Sequence, residues 1–264
     1  MFNIPNLFTA ANLLSGCIAI LLAVTGRIDI APFAIFAGAL FDFLDGFLAR
    51  KLQVSSELGK QLDSLADMVT FGVAPGMIMM SVIAAMQPNL NIGFSSYYSS
   101  VSFWLTGLLD GSHQYYYPFA GLIIPFFSLF RLAKFNLDIR QTEAFIGLPT
   151  PANTLFFMSF PLAMAYMLPE SKAASFIYQI IFNPLFLTAL ILLMGVLLVS
   201  EIPLFSLKIK SFNWKGNEIR YSFLLISLVF ILLFHAWSLA LIVFLYLILS
   251  MIENTFKKTK KEKI

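Results

Sequence analysis

The stretch FDFLDGFLARKLQVSSELGKQLDSLAD, residues 41–67, lies between two long apolar runs and carries four aspartates. They are Asp42, Asp45, Asp63 and Asp67. The first two are three residues apart and the last two are four apart, and both spacings place a pair of side chains on one face of a helix. Because only a short connection, 51–60, separates the two pairs, we expect all four carboxylates to converge.

The composition is that of an integral membrane protein. Hydrophobic residues make up 59% of the 264 residues and charged residues only 12%, with a mean hydropathy of +0.84, whereas soluble domains are about one quarter charged. Helices satisfy their backbone groups internally, so the sequence predicts an all-α, polytopic helix bundle. The lone cysteine, Cys17, excludes an internal disulfide and a cysteine-based metal site.

Eight segments are apolar over roughly the 20 residues that a spanning helix needs. They are 6–25, 31–50, 61–86, 116–136, 149–168, 178–200, 221–237 and 236–253. We expect the last two to form a tight hairpin with a break near His235–Ser238. The segment 100–109 is too short to span, and its Trp104 is typical of the membrane interface. We predict a single catalytic domain over 1–253, with a core over 1–200, an extra hairpin over 221–253 and a basic tail over 254–264.

The basic residues indicate the orientation. With a cytoplasmic N-terminus, all Lys and Arg residues except Arg27 and Lys172 fall on the cytoplasmic side or in the tail. The positive-inside rule therefore predicts that both termini are cytoplasmic. The four aspartates would then lie near the cytoplasmic ends of their helices.

Carboxylates clustered in a membrane repel one another and indicate function. Divalent cations relieve this repulsion, and all-oxygen ligands favour hard ions such as Mg²⁺, Mn²⁺ or Ca²⁺. Four aspartates predict two ions that share carboxylates, an arrangement suited to displacement at phosphorus. Gly46, Ala49 and Gly59 leave room for a ligand, and Arg50 offers a charge for a phosphate. The alternatives are salt bridges to Arg50 and its basic neighbours, or an ion path across the membrane.

The same residues carry a family resemblance. The pattern Asp42-x2-Asp45-Gly46-x2-Ala49-Arg50-x8-Gly59-x3-Asp63-x3-Asp67 resembles the signature of the CDP-alcohol phosphotransferases at all eight fixed positions. The resemblance implies a membrane enzyme that binds a CDP-linked alcohol at a cytoplasm-facing site, transfers its phosphoalcohol part to a hydroxyl and releases CMP.

Residue roles follow from that resemblance. It implies that Asp42, Asp45, Asp63 and Asp67 hold two Mg²⁺ or Mn²⁺ ions and that Asp67 is also the general base. It further implies that the CDP-lipid is bound by Gly46, Ala49, Arg50, Ser56 and Gly59. On the first helix Asn6, Thr9 and Asn12 lie along one stripe, and Asn6 and Thr9 either contact the CDP-lipid or serve helix capping and packing.

Flanking stretches narrow the acceptor. IPNLFTAANLLSGCIAI (4–20), DSLADMVTFGVAPG (63–76), FRLAKFNLD (130–138) and FIGLPTPAN (145–153) resemble the membrane-embedded bacterial phosphatidylserine synthases. The resemblance implies CDP-diacylglycerol and L-serine as substrates. Arg131, Lys134 and Arg140 are the candidates for binding the serine carboxylate, or are ordinary positive-inside anchors.

Other readings stay open. Glycerol 3-phosphate or inositol phosphate could replace serine, an ether lipid could replace the diacylglycerol, and the aspartates could serve a divalent-cation transporter. The resemblance also implies a homodimer in the bacterial cytoplasmic membrane. Nothing in the sequence indicates nucleic-acid binding.

Overall fold

The computed structural model describes residues 3–86, 100–138, 145–167, 172–205, 214 and 217–261. These residues are almost entirely helical, so the all-α prediction is confirmed. The helices are α1 Ile4–Val24, α2 Ala31–Lys51, α3 Glu57–Asp67, α4 Ala74–Ala84, α5 Ser100–Leu109, α6 Ile123–Leu137, α7 Thr150–Tyr166, α8 Lys172–Ile181, α9 Pro184–Val199, α10 Glu218–Phe234 and α11 Ser238–Lys261. A π-helical turn, Met68–Val73, joins α3 to α4, and 3₁₀ turns at Tyr117–Leu122 and His235–Trp237 precede α6 and α11. Two short strands, β1 Phe145–Ile146 and β2 Pro203–Leu204, pair antiparallel.

Five of the described stretches are long and apolar enough to cross a membrane, and the chain is an integral membrane protein. They are Ile4–Val24, Ala31–Lys51, Glu57–Ala84, Tyr117–Leu137 and Glu218–Thr255. A shorter apolar helix is Pro184–Val199. Many large apolar side chains point outward from these helices, as expected of surfaces in contact with lipid tails.

The predicted span over 178–200 is wrong as one helix. It is divided between α8 and α9, because Asn183 ends the first and caps the second: its Oδ1 accepts hydrogen bonds from the backbone N–H groups of Leu185 at 2.9 Å and Phe186 at 3.4 Å. Pro184 follows at the first position of α9, where a missing N–H costs nothing. The predicted break between the last two helices is confirmed, and His235 there has a φ of 47°.

The short helix predicted over 100–109 is confirmed as α5. Its Trp104 is 1% exposed and packs with Met80, Ala84 and Val101. The indole Nε1–H donates to the backbone oxygen of Tyr115 at 2.6 Å. Trp104 therefore packs α5 against α4 in the interior of the protein.

The third span, which runs from α3 through the π-helical turn to α4, is the central element of the bundle. It contacts α1, α6 and α7 along its length. Its entry is set by the sequence: Gln53 adopts a φ of 55° in the turn after α2. Ser56 then caps α3, with its Oγ accepting from the backbone N–H of Gly59 at 3.1 Å. This tight connection holds the end of α2 beside the start of α3.

Candidate active site

Three aspartates meet where α2 approaches α3. Asp42, Asp63 and Asp67 each offer one carboxylate oxygen, and these oxygens lie within 4.8 Å of one another. Asp42 belongs to α2, and the other two share one face of α3. All three side chains are half-buried. The convergence predicted from the residue spacings is therefore confirmed for these three.

Asp45 is placed differently. Its side chain is 5% exposed, and its Oδ2 accepts a hydrogen bond from the Thr9 hydroxyl of α1 at 2.6 Å. It is not one of the three aspartates whose oxygens converge. Thr9 is thus a packing partner of Asp45, and it joins α1 to the acidic end of α2.

The donor set of the three-aspartate group fits a divalent cation. Carboxylates this close repel one another unless a cation or protons neutralise them, and carboxylate oxygens are ligands of Mg²⁺ and Mn²⁺. The salt bridges found among the described residues join Arg27 to Asp29 and Lys134 to Glu201. The alternative that salt bridges to Arg50 and its neighbours neutralise the aspartates is therefore wrong within the described part of the chain.

A cavity of about 320 Å³ opens on one side of the aspartates and is called the Arg50 cavity here. It is lined by residues of α1, the end of α2, the turn and the start of α3. The lining residues are Pro5, Asn6, Thr9, Asp45, Gly46, Ala49, Arg50, Val54, Ser55, Ser56, Gly59, Lys60 and Asp63. All seven residues predicted to contact a CDP-lipid are among them.

Two glycines that line this cavity, Gly46 and Gly59, leave space that a side chain would fill. A Cβ on Gly46 would lie 3.8 Å from Nη1 of Arg50. One on Gly59 would lie 3.3 Å from the Ser56 hydroxyl and 3.5 Å from Oδ1 of Asn6. Larger side chains at either position would therefore occupy the space between polar groups that face the cavity.

A second, smaller cavity of about 180 Å³ lies against the same aspartates and is called the Arg131 cavity. It is lined by Asp63, Ser64, Asp67, Arg131, Leu132, Phe135, Pro149, Thr150 and Pro151. Asp63 thus borders both cavities. The two spaces meet at the acidic group from different directions.

Among the described residues that line the Arg131 cavity, Arg131 is the one basic residue. It is 3% exposed, its Nε donates to the Leu148 oxygen at 3.1 Å, and its guanidinium lies 5.4 Å from the centre of the Phe135 ring. Its Nη1 is buried and has no hydrogen-bond partner among the described residues. An unpaired buried donor is costly, so this atom is suited to an anionic group of a ligand.

The sequence of the whole core matches one family. Residues 2–207 match the family model described as CDP-alcohol phosphatidyltransferase. The chain belongs to the CDP-alcohol phosphatidyltransferase family.

The names of three relatives in this family all specify serine as the acceptor. The chain is 36% identical over 151 residues to a CDP-diacylglycerol–serine O-phosphatidyltransferase of Bacillus subtilis, covering 57% of this chain and 71% of that one. It is 29% identical over 265 residues to the Helicobacter pylori protein of the same name, covering 98% and 94%. It is also 30% identical over 166 residues to an archaetidylserine synthase of Methanothermobacter thermautotrophicus, covering 62% and 59%.

Of the three basic residues predicted to bind the acceptor in this CDP-alcohol phosphatidyltransferase, the structure brings one to the site. Lys134 lies one turn beyond Arg131 but pairs with Glu201 at 3.3 Å and does not line the Arg131 cavity. Its position on α6 directs Lys134 to the β2 side rather than to α3, and its role in acceptor binding stays a prediction. Arg140 lies outside the described residues.

Sequence reasoning missed Lys60 as a site residue. It lines the Arg50 cavity, while its Nζ donates to the Asn136 backbone oxygen at 3.1 Å. Thr150 lines the Arg131 cavity at the first position of α7. The signal for Lys60 was its position one residue after Gly59, in the first turn of α3 and within the signature.

Proposed function

We propose that this protein transfers the phosphatidyl group of CDP-diacylglycerol to the hydroxyl of L-serine, giving phosphatidylserine and CMP. One observation carries the proposal: two cavities of different chemistry meet at a group of three aspartates, and Asp63 borders both. A transferase needs two substrates held on either side of one reacting centre. The family and the names of the relatives support the same reaction.

The Arg50 cavity suits the CDP part of the donor. Arg50 and Lys60 line it and offer cationic groups for phosphate oxygens. The N-terminal end of α3, with its outward N–H groups, borders the same space. Gly46 and Gly59 allow a bulky nucleotide to approach the backbone. Membrane placement of α1 and α2 leaves the two acyl chains among lipid.

The metal ligands would be Asp42, Asp63 and Asp67, and a second ion would also engage Asp45. When bound, Mg²⁺ or Mn²⁺ would neutralise the negative charge that develops on the phosphates as the bond to the leaving group breaks. The metal identity is part of this proposal.

The chain's own chemistry centres on Asp67. A carboxylate oxygen of Asp67 takes the proton from the serine hydroxyl as the serine oxygen forms a bond to the β-phosphorus of CDP-diacylglycerol. The bond between that phosphorus and the oxygen bridging to the α-phosphate breaks, and CMP leaves with the bonding electrons. CMP is already an activated leaving group, so positioning and a base are what the protein must provide.

The Arg131 cavity suits a small acceptor with a single carboxylate. Arg131 offers one buried, unpaired N–H, and Asp67 lies on the same wall. Glycerol 3-phosphate and inositol phosphate carry a doubly charged phosphate, for which the described lining of this cavity, which excludes Arg140, offers no second basic residue. These acceptors, and an ether-lipid donor, are the alternatives within the same chemistry.

The cellular setting is also a proposal. The distribution of Lys and Arg supports cytoplasmic termini and a cytoplasm-facing active site in a bacterial inner membrane. We propose a homodimer, and a catalytic core over 1–200 to which the hairpin of α10 and α11 is added. Contacts of α11 with α7, including Phe244 at 5.1 Å from Phe156 between ring centres, support the hairpin as part of one domain.

The test is CMP release by purified protein from CDP-diacylglycerol with Mg²⁺ or Mn²⁺. L-serine, glycerol 3-phosphate, inositol phosphate and inositol are offered separately, and the archaeal ether donor is tested beside the ester donor. We expect release with serine and none from Asp67→Asn. Release only with another acceptor would contradict the serine assignment. Uptake of Mn²⁺ into vesicles without CMP release under any condition would identify a transporter instead.

A further inference from the structure

An asparagine of the first helix contacts the proposed base directly. Asn12 is 0% exposed, and its Nδ2–H donates to Oδ1 of Asp67 at 3.0 Å. The two residues are 55 positions apart and belong to α1 and α3. Asn12 lines neither cavity, so the contact serves Asp67 rather than a substrate.

A glycine of α2 leaves room for the amide oxygen of Asn12. A Cβ on Gly38 would lie 3.1 Å from Oδ1 of Asn12. The amide oxygen therefore occupies space that any other residue at position 38 would fill. With the oxygen against Gly38, the amide nitrogen is left to face Asp67.

The backbone of Asn12 is also held in place. Thr70, fully buried in the π-helical turn, donates its hydroxyl to the Asn12 backbone oxygen at 2.9 Å. Thr70 fits a notch between α1 and α2, since a Cβ on Gly16 would lie 2.5 Å from its Oγ1 and one on Gly38 would lie 2.6 Å from its Cγ2. A residue three positions after Asp67 thus fixes the helix that carries the amide.

The same turn is anchored on its other side. Thr154 of α7 donates its hydroxyl to the backbone oxygen of Phe71 at 2.9 Å. The turn that follows Asp67 is therefore tied to α1 by Thr70 and to α7 by Thr154. π-helical turns are often found at functional sites, and this one aligns two helices with a single carboxylate.

We propose that Asn12 is a positioning residue for Asp67. Its hydrogen bond to Oδ1 fixes the rotation of the carboxylate, so that Oδ2 keeps one direction for the serine hydroxyl or a metal ion. The assignment rests on the proposed function for its kinetic consequence, but the geometry of Asp67 can be tested through metal binding alone.

The experiment compares Asn12→Ala and the isosteric Asn12→Asp with the wild type and with Ser15→Ala. Ser15 is a matched control on the same helix: it is buried, and its hydroxyl donates only to the Ala11 oxygen, at 2.8 Å. Each purified protein is assayed for kcat, for KM toward both substrates, and for Mn²⁺ affinity by electron paramagnetic resonance. Size-exclusion elution and melting temperature identify variants that fold.

Loss of a hydrogen bond to a metal-ligating carboxylate commonly costs 10- to 100-fold in affinity or activity. We therefore expect both Asn12 variants to lose about 10- to 100-fold in kcat and in Mn²⁺ affinity, with both KM values changed less than about threefold. Asn12→Asp should lose more in kcat, because it replaces the hydrogen-bond donor to Asp67 with a further carboxylate. Ser15→Ala should match the wild type in both readouts.

A folded Asn12→Ala protein that binds Mn²⁺ as tightly as the wild type would overturn the proposal. So would a loss shared equally by Ser15→Ala, which would indicate a general effect of packing on α1. If the wild type binds Mn²⁺ but does not release CMP with any of the acceptors offered, the proposed function fails. The comparison of Mn²⁺ affinities then still decides the role of Asn12.

Discussion

The two cavities share Asp63 but are built in different ways. The Arg50 cavity is formed by one continuous stretch, 45–63, with the first helix added as a side wall. The Arg131 cavity is assembled from α3, α6 and the start of α7, which are far apart in sequence. The proposed donor side is therefore a local motif, whereas the proposed acceptor side depends on how distant helices pack.

The largest effect should come from Asp67, the proposed base in the three-aspartate group. Asp67→Asn keeps the side-chain volume and removes the base, and general-base catalysis contributes about 10²–10⁴-fold. We expect kcat to fall by about 10³-fold or more, while the binding of CDP-diacylglycerol weakens much less. Single-turnover CMP release and equilibrium binding of the donor measure the two separately.

The control for this change is Asp110→Asn, at an exposed aspartate that follows α5. It should leave both measurements unchanged. Wild-type turnover in Asp67→Asn would remove the base assignment. Loss of donor binding alone would make Asp67 chiefly a metal ligand.

The next largest effect should come from the Arg50 cavity and should be confined to the binding of the donor. Arg50→Ala removes a cationic hydrogen-bond donor worth about 1.5–3 kcal/mol, so we expect the KM for CDP-diacylglycerol to rise by about 10- to 100-fold. The KM for serine should change little, because Arg50 does not line the Arg131 cavity. Steady-state kinetics with each substrate varied in turn would measure both.

Lys51→Ala is the matched control, since Lys51 is the neighbouring basic residue and does not line the Arg50 cavity. Equal losses in the two variants would show that surface charge, rather than the cavity, governs donor binding. That result would weaken the distinction between the two sites.

A change in the Arg131 cavity should affect the two KM values in the opposite way. Arg131→Lys keeps the charge but loses the planar fork that donates to Leu148 and leaves Nη1 free. We expect the KM for serine to rise about tenfold, with the KM for CDP-diacylglycerol unchanged. The same variant should lose affinity for serine competitors that retain the carboxylate, measured by inhibition of CMP release.

An unchanged KM for serine in Arg131→Lys, with a raised KM for the donor, would assign this cavity to the lipid. A loss that appears only as a lower melting temperature would make Arg131 a structural residue of the α6–α7 connection. Thermal unfolding measured beside the kinetics separates these results.

The smallest effect is expected at Lys134. Its pairing with Glu201 is an exposed salt bridge, with 35% and 71% of the two side chains accessible, and such pairs contribute about 0–1 kcal/mol. Lys134→Ala should change the KM for serine by less than about threefold and the stability by less than about 1 kcal/mol. A large rise in the KM for serine would return Lys134 to the acceptor site.

The donor side could be predicted almost residue by residue. Helix spacing alone brings Asp42, Asp63 and Asp67 together, because the connection between α2 and α3 is too short to allow the helices to diverge. The separate position of Asp45 could not be predicted, because it depends on the hydroxyl of Thr9 from another helix. On the acceptor side, the position of Arg131 at the end of an apolar run favours it over Lys134, but the sequence does not show which helices it faces.

Composition and short-range spacing therefore predict the membrane class, the helical architecture, the acidic signature and the wall of the Arg50 cavity. Each depends on composition or on spacings within one helical turn or one short connection, where chain geometry leaves few alternatives. The entry of Arg131 into the second cavity and the contact of Asn12 with Asp67 are seen only in the packed structure. Those contacts join residues 17 and 55 positions apart, and they depend on the packing of whole helices, including a π-helical turn seated against two glycines.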